Sequence, residues 1–316
     1  MAEKIYDVII IGGGPSGLTA AIYTTRGGIS ALIIGGEKWG GQLMLTTAVE
    51  NFPGFPEGIQ GPDLMMDMRK QAEKFGAEFI EKNAVKVNPN TRPFEVADNE
   101  GKIYKSRTIV VASGALTQWL NIPGEKELIG RGVSTCAPCD APFYKEKTVA
   151  VVGGGDSAME EANVLTKYAS KVYLIHRRDE FKASRAMQEK ILTNSKVEVL
   201  LNTEIKKITG EKKVEKIELF NNITNETKEL QLDGVFVAIG HKPDSDIYMD
   251  ILEMDEKGYI KNDFDKYHSE TSVPGIFVAG DVMDAKYKQA ITAAGMGCMA
   301  GMDVLSYFED NASKNL

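Results

Sequence analysis

The sequence predicts an α/β protein made of two Rossmann-like domains, one inserted into the other. A short apolar strand, Ile5 to Ile11, runs into Gly12-Gly13-Gly14-Pro15-Ser16-Gly17, followed by a helix of small and apolar residues (Leu18 to Thr25) and a second strand (Ser30 to Ile34). The same order returns about 140 residues later. There, strand Thr148 to Val152 leads to Gly153-Gly154-Gly155-Asp156-Ser157-Ala158, a helix from about Ser157 to Lys167, and strand Lys171 to Ile175. Two further strands end alike, at Gly114 and at Gly240, and mark the crossings between domains. A chain of 316 residues suits about two domains. The expected division is 1–117 with 246–316, and 118–245.

Each element follows from local chemistry. Strand, glycine turn, helix, strand is the context that makes a Gly-x-Gly-x-x-Gly pattern meaningful. Gly12 permits the tight turn, Gly14 lets the backbone approach a pyrophosphate, and Gly17 allows close helix packing. The helix start supplies amide donors for phosphates. Glu37 lies beyond the second strand in a glycine-rich loop, where an acid usually holds a ribose hydroxyl. The loop continues through Gly40-Gly41-Gln42-Leu43 towards Pro62. A helical pattern covers Asp63 to Phe75, short strands reach Arg107, and Thr108 to Ala115 reads as a strand. Val197 to Leu200 is another strand, and Val214 to Ile239 reads as an antiparallel meander broken at its asparagines. Pro274 to Asp281 is a late strand ending in Gly280-Asp281. Gln289 to Tyr307 is a helix, and Glu309 to Leu316 a polar tail.

Bulk properties exclude several classes. Hydrophobic residues make up 43% and charged residues 26%, ordinary for a globular chain. A net charge of −8 argues against general nucleic-acid binding. No secretory signal precedes the first strand, and the apolar runs are too short for a bilayer. The expectation is a cytoplasmic protein with no membrane partner. Three cysteines do not make a secreted disulfide framework.

Two fingerprints imply two dinucleotides. The late Gly280-Asp281 places a carboxylate at a strand end, which suits a sugar-alcohol chain, so the first site is read as FAD. Beyond the second fingerprint stand His176-Arg177-Arg178 and Lys182. Guanidinium groups there suit a 2′-phosphate, so the second site is read as NADPH over NADH. Cys136-Ala137-Pro138-Cys139 is followed by Asp140. A redox disulfide, half of a metal site and two inert thiols are its possible readings. The remaining Cys298 and the scattered histidines form no partner cluster, so no metal is expected. Asp140 is a candidate for proton delivery during thiolate exchange. Cys298 reads as a helix-packing residue.

Taken together, these motifs resemble the low-molecular-weight thioredoxin reductases over essentially the whole chain. The resemblance rests on Gly12-x-Gly14-x-x-Gly17, Gly40 to Leu43, Cys136-x-x-Cys139-Asp140, Gly153 to Ala158, His176-Arg177-Arg178, and Gly280-Asp281 followed by Gln289 to Gly295. It implies a homodimer that passes electrons from NADPH through FAD to a Cys136–Cys139 disulfide and on to thioredoxin. Cys139 then faces the flavin, Cys136 the protein partner, and Asp140 handles the proton. The implied FAD residues are Gly12, Gly14, Pro15, Ser16, Gly17, Glu37, Gly41, Gln42, Leu43, Asn51, Gly114, Gly280, Asp281, Lys288, Gln289 and Ala290. Those for NADPH are Gly153, Gly155, Asp156, Ser157, Ala158, His176, Arg177, Arg178, Lys182 and Gly240. Three positions depart from the family pattern: Pro138 where threonine is more usual, and Lys182 and Lys288 where arginine is. A reductase of another dithiol protein, such as a glutaredoxin-like or peroxiredoxin system, and a dithiol oxidase are the enzymatic alternatives. A sensor that binds both cofactors without turnover is a third, from another class.

Overall fold

A computed structural model describes residues 4–46, 48–262 and 267–312. The chain divides into two compact units, Met1–Leu116 with Lys242–Leu316, and Thr117–His241. In chain order, the first unit begins with β1 (Ile5–Ile11), α1 (Pro15–Arg26), β2 (Ala31–Ile34), β3 (Ala48–Val49), β4 (Ile59–Gln60) and α2 (Gly61–Lys74). It continues with β5 (Glu78–Ile80), β6 (Ala84–Asn88), β7 (Phe94–Asp98) and β8 (Ile103–Val111). β9 (Ala115–Thr117) leads to the second unit, which holds β10 (Val133–Ser134), α3 (Ala137–Asp140), β11 (Thr148–Val152), α4 (Asp156–Leu165), β12 (Lys171–Ile175) and α5 (Arg185–Leu192). There follow β13 (Val197–Leu200), β14 (Thr203–Thr209), β15 (Lys216–Asn221), β16 (Thr227–Gln231) and β17 (Gly234–Val237). β18 (His241–Pro243) leads back to the first unit, which ends with β19 (Ile276–Val278) and α6 (Ala290–Ala312).

The first unit is built on a sheet of order β5-β2-β1-β8-β7-β6, with β19 also paired to β8. Its centre is parallel, and β2, β19, residues 8–11 of β1 and residues 108–111 of β8 are buried because both faces are covered there. Val8, Ile10, Ile33 and Phe277 face one core, with residues of α1, α2 and α6. Ile9, Ile11, Leu32, Ile34, Ile276 and Val278 face the other. This is the strand period of two, with both phases apolar. β8 is shared: it pairs parallel with β1 from Lys105 to Val111, and on its other edge antiparallel with β7 from Ile103 to Ser106 and parallel with β19 from Ile109 to Val111.

The second unit repeats the plan with a parallel sheet, β10-β17-β11-β12-β13, and a three-stranded antiparallel sheet, β14-β15-β16. Val149, Val151, Val172, Leu174 and Phe236 face α3 and α4, while Ala150, Val152, Ile175, Val235 and Val237 face the antiparallel sheet. The expected meander over Val214 to Ile239 is therefore corrected at its end. β15 and β16 do pair antiparallel, but β17 inserts between β10 and β11. Gly234, Val235, Phe236 and Val237 are all buried, and a side chain at Gly234 would meet the Tyr144 ring at 2.3 Å. Such a run suits a central parallel strand, not an alternating edge.

Several element ends also shift. The strand expected over Thr108 to Ala115 starts earlier and stops at Val111, with β9 a separate piece. α6 runs on through residues expected in the polar tail, of which 313–316 lie outside the described residues. No helix among the described residues is long and apolar enough to cross a membrane.

Candidate active site

Cys136 and Cys139 form a disulfide, with Cα atoms 5.3 Å apart. Cys136 is the N-cap of α3, and its carbonyl accepts the amides of Cys139 and Asp140 at 3.2 and 3.1 Å. Pro138 lies in the first turn, where a missing N–H costs no helical hydrogen bond. Ala137 and Ala141 are fully buried against α4 residues Ala158, Met159 and Ala162, so the short helix is seated on a rigid neighbour. Two carboxyls bracket it. Ser134 Oγ accepts the Cys136 amide at 3.1 Å, and the Ser134 hydroxyl donates to Asp140, whose pKa is raised, chiefly by burial, against that bond. Glu161, on α4, accepts the Ala137 amide at 2.5 Å. Burial, then the charges of Asp140 and Glu160, push the Glu161 carboxyl up to about 8 against that same amide. A half-buried disulfide flanked by acids of raised pKa is equipped for thiol–disulfide exchange with local proton uptake.

The second glycine turn lies in the same unit. A side chain at Gly153 would meet the Ala238 carbonyl oxygen at 2.4 Å, whereas one at Gly155 would meet nothing within 4 Å. The open face at Gly155 fits a pyrophosphate approaching the backbone at the start of α4. Lys182 and Ala183 donate their amides to the Gly154 carbonyl at 2.7 and 3.0 Å. Asp156 accepts the amide and hydroxyl of Ser184 at 2.8 and 3.0 Å. These bonds bring the Lys182 loop back onto the fingerprint. Arg177, Arg178 and Lys182 are exposed, and the backbone of the arginine pair is tethered by Asn202 and Asn222. His176 is turned inward: it stacks on Phe181, and its Nε2 lies 3.1 Å from the Glu180 carbonyl. Burial first, then the charges of Arg178, Arg177 and Lys182, lower its pKa. These contacts brace the loop that carries Arg177 and Arg178. Gly240 adopts φ 117° and its carbonyl accepts the Gln118 amide.

In the first unit, a side chain at Gly12 would meet the Ala112 carbonyl oxygen at 2.1 Å, and one at Gly17 would meet the Gly12 oxygen at 2.0 Å. Gly12 also sits at φ 122°, where glycine is favoured. Gly14 is open, with nothing within 4 Å of a side chain built there. Pro15 starts α1, and Ser16 is buried beneath two later glycines. Side chains at Gly280 and Gly297 would meet Ser16 at 2.6 and 2.1 Å. The end of β19 and the start of α6 are thereby held against the start of α1, which places Asp281 beside the glycine turn. Burial, then Asp284, push the Asp281 carboxyl up to about 6, with Lys288 opposing. Asp284 accepts the amides of Lys286, Tyr287 and Lys288, and so shapes the turn into Gln289 and Ala290.

The remaining first-site residues come from loops. Gly40 donates to the Gly13 carbonyl at 3.1 Å, which anchors the Gly41–Leu45 turn on the fingerprint. Gln42 reaches the Ala115 carbonyl at 3.5 Å, and Asn51 donates to Gln289 at 3.3 Å across 238 residues of sequence. The Asp244 amide donates to Gly114 at 2.9 Å. Glu37 accepts from Asn99 at 2.8 Å while its own amide donates to Asn83. Ser134, Glu161 and Ser184 were not expected. The only sequence signal for Glu161 was a carboxylate one turn into the helix after the second fingerprint. Among the described residues no group of three or more His, Cys, Asp or Glu is placed to hold a metal ion.

Comparison with known proteins adds independent information. The family described as pyridine nucleotide-disulphide oxidoreductase matches residues 6–297. A thioredoxin reductase from Mycolicibacterium smegmatis is 47% identical over 304 residues, covering 96% of this chain and 96% of that protein. A bifunctional thioredoxin reductase/thioredoxin from Mycobacterium leprae (strain TN) is 45% identical over 98% of this chain and 67% of its own length. The solved structure of thioredoxin reductase from Giardia duodenalis matches with TM-score 0.92 at 38% identity, over 97% of this chain and 100% of that one.

Proposed function

The chain belongs to the pyridine nucleotide-disulphide oxidoreductase family, and from that premise we propose that it is an NADPH-dependent thioredoxin-disulfide reductase. The observation that carries this reading is the formed Cys136–Cys139 disulfide at the head of α3, in a chain with two open glycine turns. FAD, when bound, supplies the two-electron step between a nicotinamide and a disulfide. In this reading the first unit holds FAD, with the open Gly14 face and the amides at the start of α1 on the pyrophosphate and Asp281 towards the sugar chain. Glu37, Gln42, Asn51, Lys288 and Gln289 complete that site. The second unit holds NADPH, with Gly155 and the start of α4 on the pyrophosphate. Arg177, Arg178 and Lys182 carry the 2′-phosphate.

After reduction, the Cys136 thiolate attacks the partner's disulfide, and Cys139 then displaces it, releasing the reduced partner and restoring the Cys136–Cys139 bond. Asp140 is the proton donor and acceptor in that exchange, and its raised pKa keeps a proton available nearer neutrality than an ordinary aspartate would. The partner is thioredoxin, an assignment supported by the relative in which reductase and thioredoxin share one chain. A cytoplasmic homodimer completes the reading, supported by the family resemblance and by apolar residues left exposed on α6, among them Met299 and Met302.

The test is stopped-flow reduction of the purified flavoprotein by NADPH and by NADH, followed by addition of oxidised thioredoxin. Fast flavin bleaching by NADPH is expected, with thioredoxin reduction lost and bleaching retained in Cys136→Ser. Thioredoxin reduction by that variant would overturn the assignment.

A further inference from the structure

We propose that Glu161 is a positioning residue of the redox centre: through the Ala137 amide it holds the first turn of α3, and its own charge sets how readily Cys136 ionises. The proposal rests on reading Cys136–Cys139 as the exchanging couple. The geometry is specific. Glu161 reaches from α4 across 24 residues of sequence to the amide next to Cys136. Its helix cannot swing away, because Ala137, Ala141, Ala158, Met159 and Ala162 are buried together between the two helices. Cys136 is the N-cap, but Pro138 at the second helical position has no N–H for its sulfur to accept, and the Cys139 amide already donates to the Cys136 carbonyl. The Ala137 amide, in the peptide that joins it to Cys136, is held by the Glu161 carboxyl.

The charged groups facing Glu161 are Asp140 from α3 and Glu160 from α4, both acidic. Together with burial they keep the Glu161 carboxyl protonated at neutral pH, and it ionises near the range where a cysteine thiol also titrates. Protonated, it still accepts the Ala137 amide through its carbonyl oxygen, so position is kept while charge is absent. Ionised, it adds a negative charge at the Ala137 amide, one residue from Cys136, and opposes a second one on the sulfur. The two ionisations are therefore coupled. At neutral pH the dithiol can reach its thiolate, and above about pH 8 Glu161 restrains it.

The experiment uses the full-length flavoprotein in a Cys139→Ser background, so that Cys136 is the one thiol of the pair. Alkylation by iodoacetamide is followed by mass on the peptide carrying Cys136, from about pH 6 to pH 10. Glu161→Gln keeps the acceptor and removes the ionisation. It should react about three- to tenfold faster than the parent above pH 8 and within about twofold of it below pH 7. Glu161→Ala removes both, and should depart from the parent below pH 7 as well, a defect that glutamine rescues. Superimposable profiles for parent and Glu161→Gln overturn the charge coupling. Equal low-pH rates for Glu161→Ala overturn the positioning role, and should that variant fail to fold, Glu161→Gln alone decides. Wild-type enzyme, with both cysteines, that fails to reduce thioredoxin would sink the functional reading and leave the alkylation result standing.

Discussion

At the first glycine turn the third position must be Gly17, since a methyl there would meet the Gly12 carbonyl oxygen at 2.0 Å. At the second, Ala158 carries that methyl, fully buried, and it occupies the space a side chain at Gly153 would need, at 2.8 Å. Both turns keep an open middle glycine, Gly14 and Gly155, so this open surface is shared. The surroundings differ. The first turn is closed by elements from the far end of the chain, with Ser16 under Gly280 and Gly297 and a partly buried Asp281 alongside. The second is closed locally, by the Lys182–Ser184 segment, and carries exposed cations. In the proposed reading, one backbone device is thus tuned for two ligands by what is packed around it: an acid where hydroxyls would be held, cations where a phosphate would be.

That contrast can be broken in four ways, from the largest expected effect. Gly17→Ala should cost about 3 kcal/mol by overpacking and release the flavin, read by thermal melting and by bound FAD per chain. Retention of both would mean that the first turn tolerates what the second does. Asp281 tests the buried acid. Its folded pKa is raised, so its contribution to stability is full below about pH 4 and is lost as pH rises through about 6. Asp281→Asn should remove a fall in apoprotein stability of up to about 3 kcal/mol over that window in denaturant titrations. Unchanged pH dependence would show that the carboxyl is better solvated than its setting implies. Replacing Arg177 and Arg178 together with alanine should raise the KM for NADPH about 10- to 100-fold with NADH little affected, the loss of charge-assisted phosphate contacts. Equal losses for both nucleotides would move the arginines off the 2′-phosphate. Smallest of all, Ala158→Gly should cost only about 1 kcal/mol, by helix propensity and lost contact, with NADPH binding preserved.

Much of this was legible in the residues. β11, β12 and β13 start and stop where their β-rich runs do, and in β11, which is covered on both faces, every residue from Val149 to Val152 is apolar and buried. The same logic, followed one step further, would have separated Gly234 to Val237 from the meander before it. Element ends were less legible. α6 continues past Tyr307 because Tyr307 and Phe308 still pack on the first core, which a polar-looking tail does not announce. The loop residues of the first site could be named by resemblance, but the Asn51–Gln289 bond has no local signature. His176 reads as one of three cations in a row, yet its ring is folded against Gly154, where a side chain would meet it at 2.2 Å.

By itself the sequence determined the two βαβ turns, the cysteine pair between them and the cationic strand end, because glycine geometry, sulfur chemistry and charge are properties of residues at short spacing. Only the tertiary structure decided which acids stand beside the sulfurs. Asp140 is adjacent in the chain, but Glu161 reaches the Ala137 amide only because buried alanines let α3 and α4 come close. Its raised pKa likewise follows from burial and two neighbouring carboxyls, which no spacing along the chain encodes.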